Sequence, residues 1–319
     1  MRIYAGVTDQ DWFDFLRSQP QIDEVNFWQP SPNAEFRALS KGDLFLFKLH
    51  RSERTQNRDL IAGGGVFISF SVLPISLAWE AFEHRNGAAT YSEMRQRLLR
   101  YRRMPDNPHE DFQVGCIILT QPFFFSESLW FPAPEWSASI VRGKAKGYEL
   151  EKEAGQFIWK YLQRGWQHQR IPYLDGEAQR IEEERARYGK ETTITPRLGQ
   201  GAFRVLVTDA YQRACAITEE HSLPALEAAH IKPYNESGPH AVNNGLLLRS
   251  DLHRLFDRGY ITITPEYRIE VSRRLKDEFK NGRSYNPFHG TQLLNVPVSP
   301  DDRPLKEMLL WHNERVFKG

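Results

Sequence analysis

Cysteine is almost absent from this chain: Cys116 and Cys215 are the two in 319 residues, with no Cys-x-x-Cys pair. That excludes a disulfide framework and a cysteine-based structural zinc site, since each needs more thiolates than are here. Long apolar runs are lacking as well. No stretch approaches the roughly 20 residues that a membrane helix requires, and the N-terminus, Met1-Arg-Ile-Tyr-Ala-Gly-Val, has no signal-peptide core, so a cytoplasmic location is expected and no membrane partner. Nor is there an excess of one charge: 42 basic residues face 41 acidic ones, a net of +1. Any affinity for nucleic acid must then come from local patches. Two are visible, one of Arg95, Arg97, Arg100, Arg102 and Arg103, the other of Arg268, Arg273, Arg274, Lys276, Lys280 and Arg283. Low-complexity tracts and internal repeats are missing, which argues against disorder and against a solenoid.

What is present is ample material for packed cores, with 40% hydrophobic residues and 20 Phe. The length exceeds one usual core, so two domains are expected. To about residue 150 the chain reads as short apolar strands, Asp43-Leu-Phe-Leu-Phe-Lys-Leu-His, Ala62-Gly-Gly-Gly-Val-Phe-Ile-Ser-Phe and Val114-Gly-Cys-Ile-Ile-Leu-Thr, which suit a small barrel. Helices are predicted over 9–19 and 76–103, the second broken at Asn86-Gly87. Residues 148–163 look amphipathic, while 176–188 are nearly all charged helix formers, the pattern of a spacer between domains. The expected division is 1–165, a helical charged linker over 166–195, and 196–319. Beyond it Phe203, Val207 and Tyr211 fall at helical spacing, followed by a strand at Cys215-Ala-Ile.

The densest signal lies in Leu226-Glu-Ala-Ala-His230-Ile-Lys-Pro-Tyr and Asn243-Asn-Gly-Leu-Leu-Leu-Arg-Ser-Asp-Leu-His253-Arg-Leu-Phe-Asp257. A histidine on an apolar strand is followed by an asparagine fourteen residues later and a histidine nine residues beyond that on a helix. Phosphodiester hydrolysis needs a base for the attacking water and a cation for the charge that develops on the phosphate. A histidine near its ordinary pKa serves as the base. Asn244-Gly245 is placed where a hairpin turns back, its amide tying the two sides together. Asp257 shares a helix face with His253 and can add an oxygen ligand.

In this stretch the chain resembles the His-Asn-His (HNH) endonucleases over about Pro196 to Tyr260, including the lead-in Arg197-Leu-Gly-Gln-Gly-Ala-Phe-Arg and Cys215-Ala-Ile-Thr. The resemblance implies a β-hairpin and helix clasping one divalent cation (the ββα-metal fold), with His230 as base, Asn244 as structural asparagine and His253 as metal ligand. Mg²⁺ or Mn²⁺, or another transition ion, is the implied cofactor. Many members carry Asp or His just before the base histidine, where this chain has Ala229. Glu227 points to the same side of the strand, roughly 7 Å further back, and is a candidate to cover the gap.

The motif Val25-Asn-Phe27-Trp28-Gln-Pro-Ser31-Pro, with Lys41-Gly-Asp-Leu-Phe and Ile61-Ala-Gly-Gly-Gly, resembles the EVE-type branch of the PUA superfamily of small β-barrels. Related barrels bind modified bases extruded from a duplex, and a flipped base is read by stacking on aromatics and by bonds to its polar edge. Phe27, Trp28 and Ser31 are the candidates for that pocket, with further aromatic surface at Trp130 and Trp136. The expected whole is an α+β chain: a PUA-like barrel with helices, a helical linker and a ββα-metal nuclease. As a function this predicts a restriction endonuclease that reads a modified cytosine, 5-methyl or 5-hydroxymethyl, in double-stranded DNA. Homodimerisation would serve double-strand cleavage. A non-catalytic binder with a decayed nuclease fold, and a nuclease directed at RNA, are the competing readings.

Overall fold

The computed structural model describes residues 1–32, 36–56, 58–136, 145–188, 193–280 and 283–319. It divides into two compact units, Met1–Arg197 and Leu198–Gly319. Among the described residues no helix is long and apolar enough to cross a membrane.

The first unit runs β1 (Arg2–Thr8), α1 (Gln10–Ser18), β2 (Glu24–Gln29), β3 (Leu44–Leu49), β4 (Leu60–Pro74), α2 (Ile75–Phe82), α3 (Tyr91–Arg102), β5 (Gln113–Phe124), β6 (Phe131–Pro132), β7 (Lys146–Glu149), α4 (Glu153–His168) and α5 (Pro172–Tyr188). Its mixed sheet has the order β2-β5-β4-β3-β1-β7, with β6 added on β4. The β1–β3 pair is parallel and the others antiparallel. The long β4 is the spine, and its glycines let neighbours come close: a Cβ on Gly63 would sit 2.2 Å from the Phe123 carbonyl oxygen.

The expected barrel is not closed, because among the described residues β2 and β7 stand at opposite ends of the strand order. The sheet buries its surface in another way, and β3 is buried along its whole length. Leu44 and Leu46 join the core of Trp159, Trp166, Leu174 and Ile181 contributed by α4 and α5. Phe45 and Phe47, alternating to the other face, meet Phe27, Trp12 and Phe124 in a ring cluster. With apolar partners on both faces the sheet has no need to curl onto itself.

The stretch 166–195, expected as a spacer, is part of this unit where it is described. Leu174, Ala178 and Ile181 are spaced as one helical stripe and are fully buried with Trp166. The charges occupy the outer side, where Arg180 pairs with Glu177 and Glu184. Counting charge alone hid a narrow apolar face; residues 189–192 lie outside the described residues.

The second unit comprises α6 (Gln200–Ala210), β8 (Leu226–His230), β9 (Gly245–Arg249), α7 (Ser250–Asp257), β10 (Ile261–Ile263), β11 (Ile269–Val271), α8 (Arg274–Phe279) and α9 (Lys306–Arg315). β8 and β9 pair antiparallel, with His230 opposite Gly245. Phe203, Val207 and Tyr211 enter a core shared with Leu246, Leu248, Leu252 and Phe256. Cys215–Ile217, expected as a strand, is a turn. It still serves the hairpin, since the Ala216 N–H donates to the Leu247 carbonyl at 2.7 Å.

Candidate active site

The β8–β9 pair and α7 form a strand-strand-helix unit whose inner residues are apolar and whose outward residues are ionisable. Leu226 and Ala229 are buried while Glu227 and His230 are partly open. Along α7, Leu252 and Phe256 face the core. That leaves His253 and Asp257, four apart, on one outer face.

Asn244 is fully buried and acts as a clamp. Its Oδ1 accepts from the Lys232 N–H at 2.9 Å, and its Nδ2 donates to the carbonyls of Lys232 and Pro239, both at 2.9 Å. It does not sit in a tight Asn-Gly turn. Gly245 is extended, with φ −129°, and is already the first residue of β9. The chain turns back earlier, through the short helical turn Tyr234–Glu236, Ser237 in the left-handed region (φ 64°) and Gly238. A Cβ on Gly238 would meet the Lys232 carbonyl oxygen at 1.8 Å, so glycine is required there. The asparagine therefore closes a long loop, one residue before the start of β9.

His230 is packed face to face on Phe203, ring centroids 3.8 Å apart and 12° from parallel. Its Nε2 lies 3.1 Å from Nδ1 of His240. Burial, then the charges of His240 and His253, push its pKa down to about 4 against the pull of Asp257. At neutral pH the ring is uncharged and able to take a proton. His253 is shifted the other way. Burial disfavours its charge, but hydrogen bonds to Asp257 and Glu227 outweigh that and raise its pKa. Its Nδ1 is 2.6 Å from Glu227 Oε2 and its Nε2 3.3 Å from Asp257 Oδ2. Glu227 thus does reach forward from β8 to the helix, as alternation on the strand allows.

Sequence reasoning missed His240, and Phe203 was read as a core residue alone. His240 sits between Pro239 and Ala241 in the loop, where no periodicity marks it; the signal that could have found it is a third histidine between His230 and Asn244.

The base-pocket candidates fare differently. Trp28 is 8% exposed and its indole N–H donates to the Asn86 carbonyl at 2.8 Å. Phe27 points to the other side of β2, into the ring cluster with Phe45. Ser31 is exposed beyond the strand. The structure does not bring the three together as one pocket, because adjacent strand residues face opposite ways. Trp130 caps Arg54 and Trp136 lies over Lys48, each as a cation–π partner. Of the basic patches, Arg95 is buried and bound to Asp106 and to the carbonyls of Asn107 and Glu110, while Arg97 is bound to Glu93 and the Gly87 carbonyl.

The β8–β9 hairpin and α7 thus carry His230, buried Asn244 and His253 in that order. Residues 215–264 match the HNH endonuclease family model. The chain is accordingly a nuclease enzyme, a hydrolase, and the match implies DNA as substrate. A comparison with curated proteins found no match. HNH nucleases generally use a divalent metal ion. The donor chemistry here suits one, since two carboxylates flank the His253 imidazole. Among the described residues, however, no three His, Cys, Asp or Glu side chains converge as a closed metal cage.

Proposed function

We propose that this protein is a modification-dependent DNA endonuclease: its N-terminal unit reads a modified cytosine, and its C-terminal unit hydrolyses the phosphodiester with a divalent metal and His230 as general base. The observation that carries the catalytic part is the contrast between two histidines. His230 is kept neutral by burial, while His253 is held between two carboxylates. His230 is suited to accept a proton, and His253, with Glu227 on its Nδ1, would offer Nε2 beside Asp257 to a cation that displaces the second proton, which divides the labour that hydrolysis requires.

His253 and Asp257 would hold the ion, while Glu227, bound to Nδ1 of His253, would orient that ring from behind. Mg²⁺ or Mn²⁺ fits this mixed oxygen and nitrogen set, water and phosphate oxygens completing it. Bound there, the ion would supply charge stabilisation for the phosphate and leaving oxygen. Asn244 keeps the loop closed so that His230 stays aimed, and Phe203 prevents its ring from turning over.

For base reading, the resemblance to EVE-type domains is joined by an open cleft of about 730 Å³ in the first unit, lined by Arg2, Tyr4, Lys146, Tyr148, Glu149 and Lys152 among others. It offers aromatic rings beside polar groups of both signs, the combination by which an extruded base is bound. This cleft takes the place of the Trp28 pocket as the reading site.

The test is digestion of matched duplexes carrying cytosine, 5-methylcytosine, 5-hydroxymethylcytosine or its glucosylated form, and of structured RNA, with Mg²⁺ or Mn²⁺ and in chelator. Cleavage of one modified duplex in preference to the plain one, lost in chelator, is expected. His230→Ala should slow it about 10²- to 10⁴-fold with DNA binding retained. Equal cutting of all duplexes removes the reading of modified bases, RNA as the preferred substrate removes DNA, and a His230→Ala variant of normal rate removes the base assignment.

A further inference from the structure

His240 is the group in the site that the reading above leaves without a role. Its Nδ1 is 3.1 Å from His230 Nε2, and its ring is itself stacked on Tyr234, centroids 4.7 Å apart and 16° from parallel. The two histidine rings meet edge to face at 69°. Asn244 fixes where His240 stands, because its amide grips Pro239, the residue before it. Among the described residues, Nε2 is the one ring nitrogen of His230 with a hydrogen bond, so Nδ1 is the nitrogen left for water.

We propose that His240 is a positioning residue for the base: it holds His230 in the tautomer whose proton is on Nε2, and it stabilises the imidazolium that forms when Nδ1 takes a proton from water. The inference rests on His230 being the base. Before reaction, His230 carries one hydrogen, on Nε2, donated to the lone pair on His240 Nδ1, and His240 carries its own hydrogen on Nε2. Water gives one proton to His230 Nδ1 as its oxygen bonds to phosphorus and the bond from phosphorus to the leaving oxygen breaks. His230 is then a cation with hydrogens on both nitrogens, and the Nε2–H bond to His240 becomes charge-assisted and stronger. A bond that strengthens as the charge develops lowers the barrier, not merely the energy of binding. Without His240 the ring has no partner to choose which nitrogen carries the hydrogen, and molecules with it on Nδ1 cannot act as the base.

Two variants of similar length separate an acceptor from simple bulk: His240→Gln keeps an oxygen that can accept from His230 Nε2, and His240→Met does not. In the full chain, with its metal and its preferred DNA, the Met variant should lose about 10- to 100-fold in kcat with KM for DNA unchanged, the size of loss usual when a supporting hydrogen bond is removed. The Gln variant should recover most of it. Combined with His230→Ala, the Met substitution should cause no further loss, since a positioning residue acts through the group it positions. Thermal unfolding of each variant keeps a folding defect apart from a catalytic one. Equal rates for Gln and Met, or a further loss on the His230→Ala background, would overturn the proposal, as would a Met variant of normal kcat. A fully active His230→Ala would instead bring down the base assignment on which it stands.

Discussion

Asn244 shows how much one residue can hold. It has no exposed surface, and its amide serves one buried N–H and two carbonyls. Asn244→Ala should therefore cost about 2 to 4 kcal/mol of stability, since each unpaired buried group costs about 1 to 3 kcal/mol and such losses do not add fully. Asn244→Asp, although the same shape, should do little better. It keeps the acceptor for the Lys232 N–H but sets a carboxylate against the oxygens of Lys232 and Pro239. Chemical denaturation measures both, and an Asp variant as stable as the parent would show that the two carbonyl bonds contribute nothing. At this scale the sequence was informative for the element each residue sits on and poor for its partners. His230 stands on its strand and His253 and Asp257 on their helix, as expected, while Asn244 stands at the foot of a longer loop and not in the expected Asn-Gly turn. His240 could not be foreseen, because its contact with His230 is made by the path of an irregular loop.

At the scale of elements, α9 fastens β10 and α7 through one histidine. His312 is 2% exposed, its Nδ1 2.8 Å from Thr262 Oγ1 and its Nε2 3.1 Å from the Phe256 carbonyl, with its ring stacked on Phe256 at 3.7 Å. A carbonyl can only accept, so Nε2 carries the hydrogen and the Thr262 hydroxyl donates to Nδ1. Burial pushes its pKa down to about 4. A second proton has no place to sit, so folded protein resists protonation where unfolded chain accepts it. The stability of this unit should be undiminished above about pH 6.5 and fall as pH drops from there through about 4, by about 2 to 3 kcal/mol at pH 4.5 from this group. His312→Gln, which can pair with both neighbours but does not titrate, should show a shallower fall between pH 6.5 and 4.5. An identical slope in the two proteins would remove His312 as the cause. Other elements were legible where a short-range rule sets them. Asp9 accepts from the Trp12 N–H as the cap of α1, and Gly87, with φ 76°, stands in the break foreseen before α3. The barrel and the spacer were misread for one reason: whether a face is covered depends on residues far away in the chain.

For the molecule as a whole, the two cores share no residue: one is built from Met1 to Ile194 and the other from Phe203 to Leu309. Residues 198–319 alone should therefore fold, unfold in a single transition, and cut plain and modified DNA alike in Mg²⁺ or Mn²⁺. The full chain should show two transitions by calorimetry and prefer modified DNA. A C-terminal fragment that is unfolded in isolation would refute this independence.

The clasp of Asn244 on Lys232 and Pro239 has a consequence for how this chain can vary over generations. It closes the loop at its base, so that Asn235, Glu236 and Ser237 form an exposed tip outside the knot while His230 and His240 lie at or within it. Substitutions at Asn235 and Glu236 should leave the position of His230 unchanged. Descendants of this sequence should therefore diverge at the tip first and at the knot last.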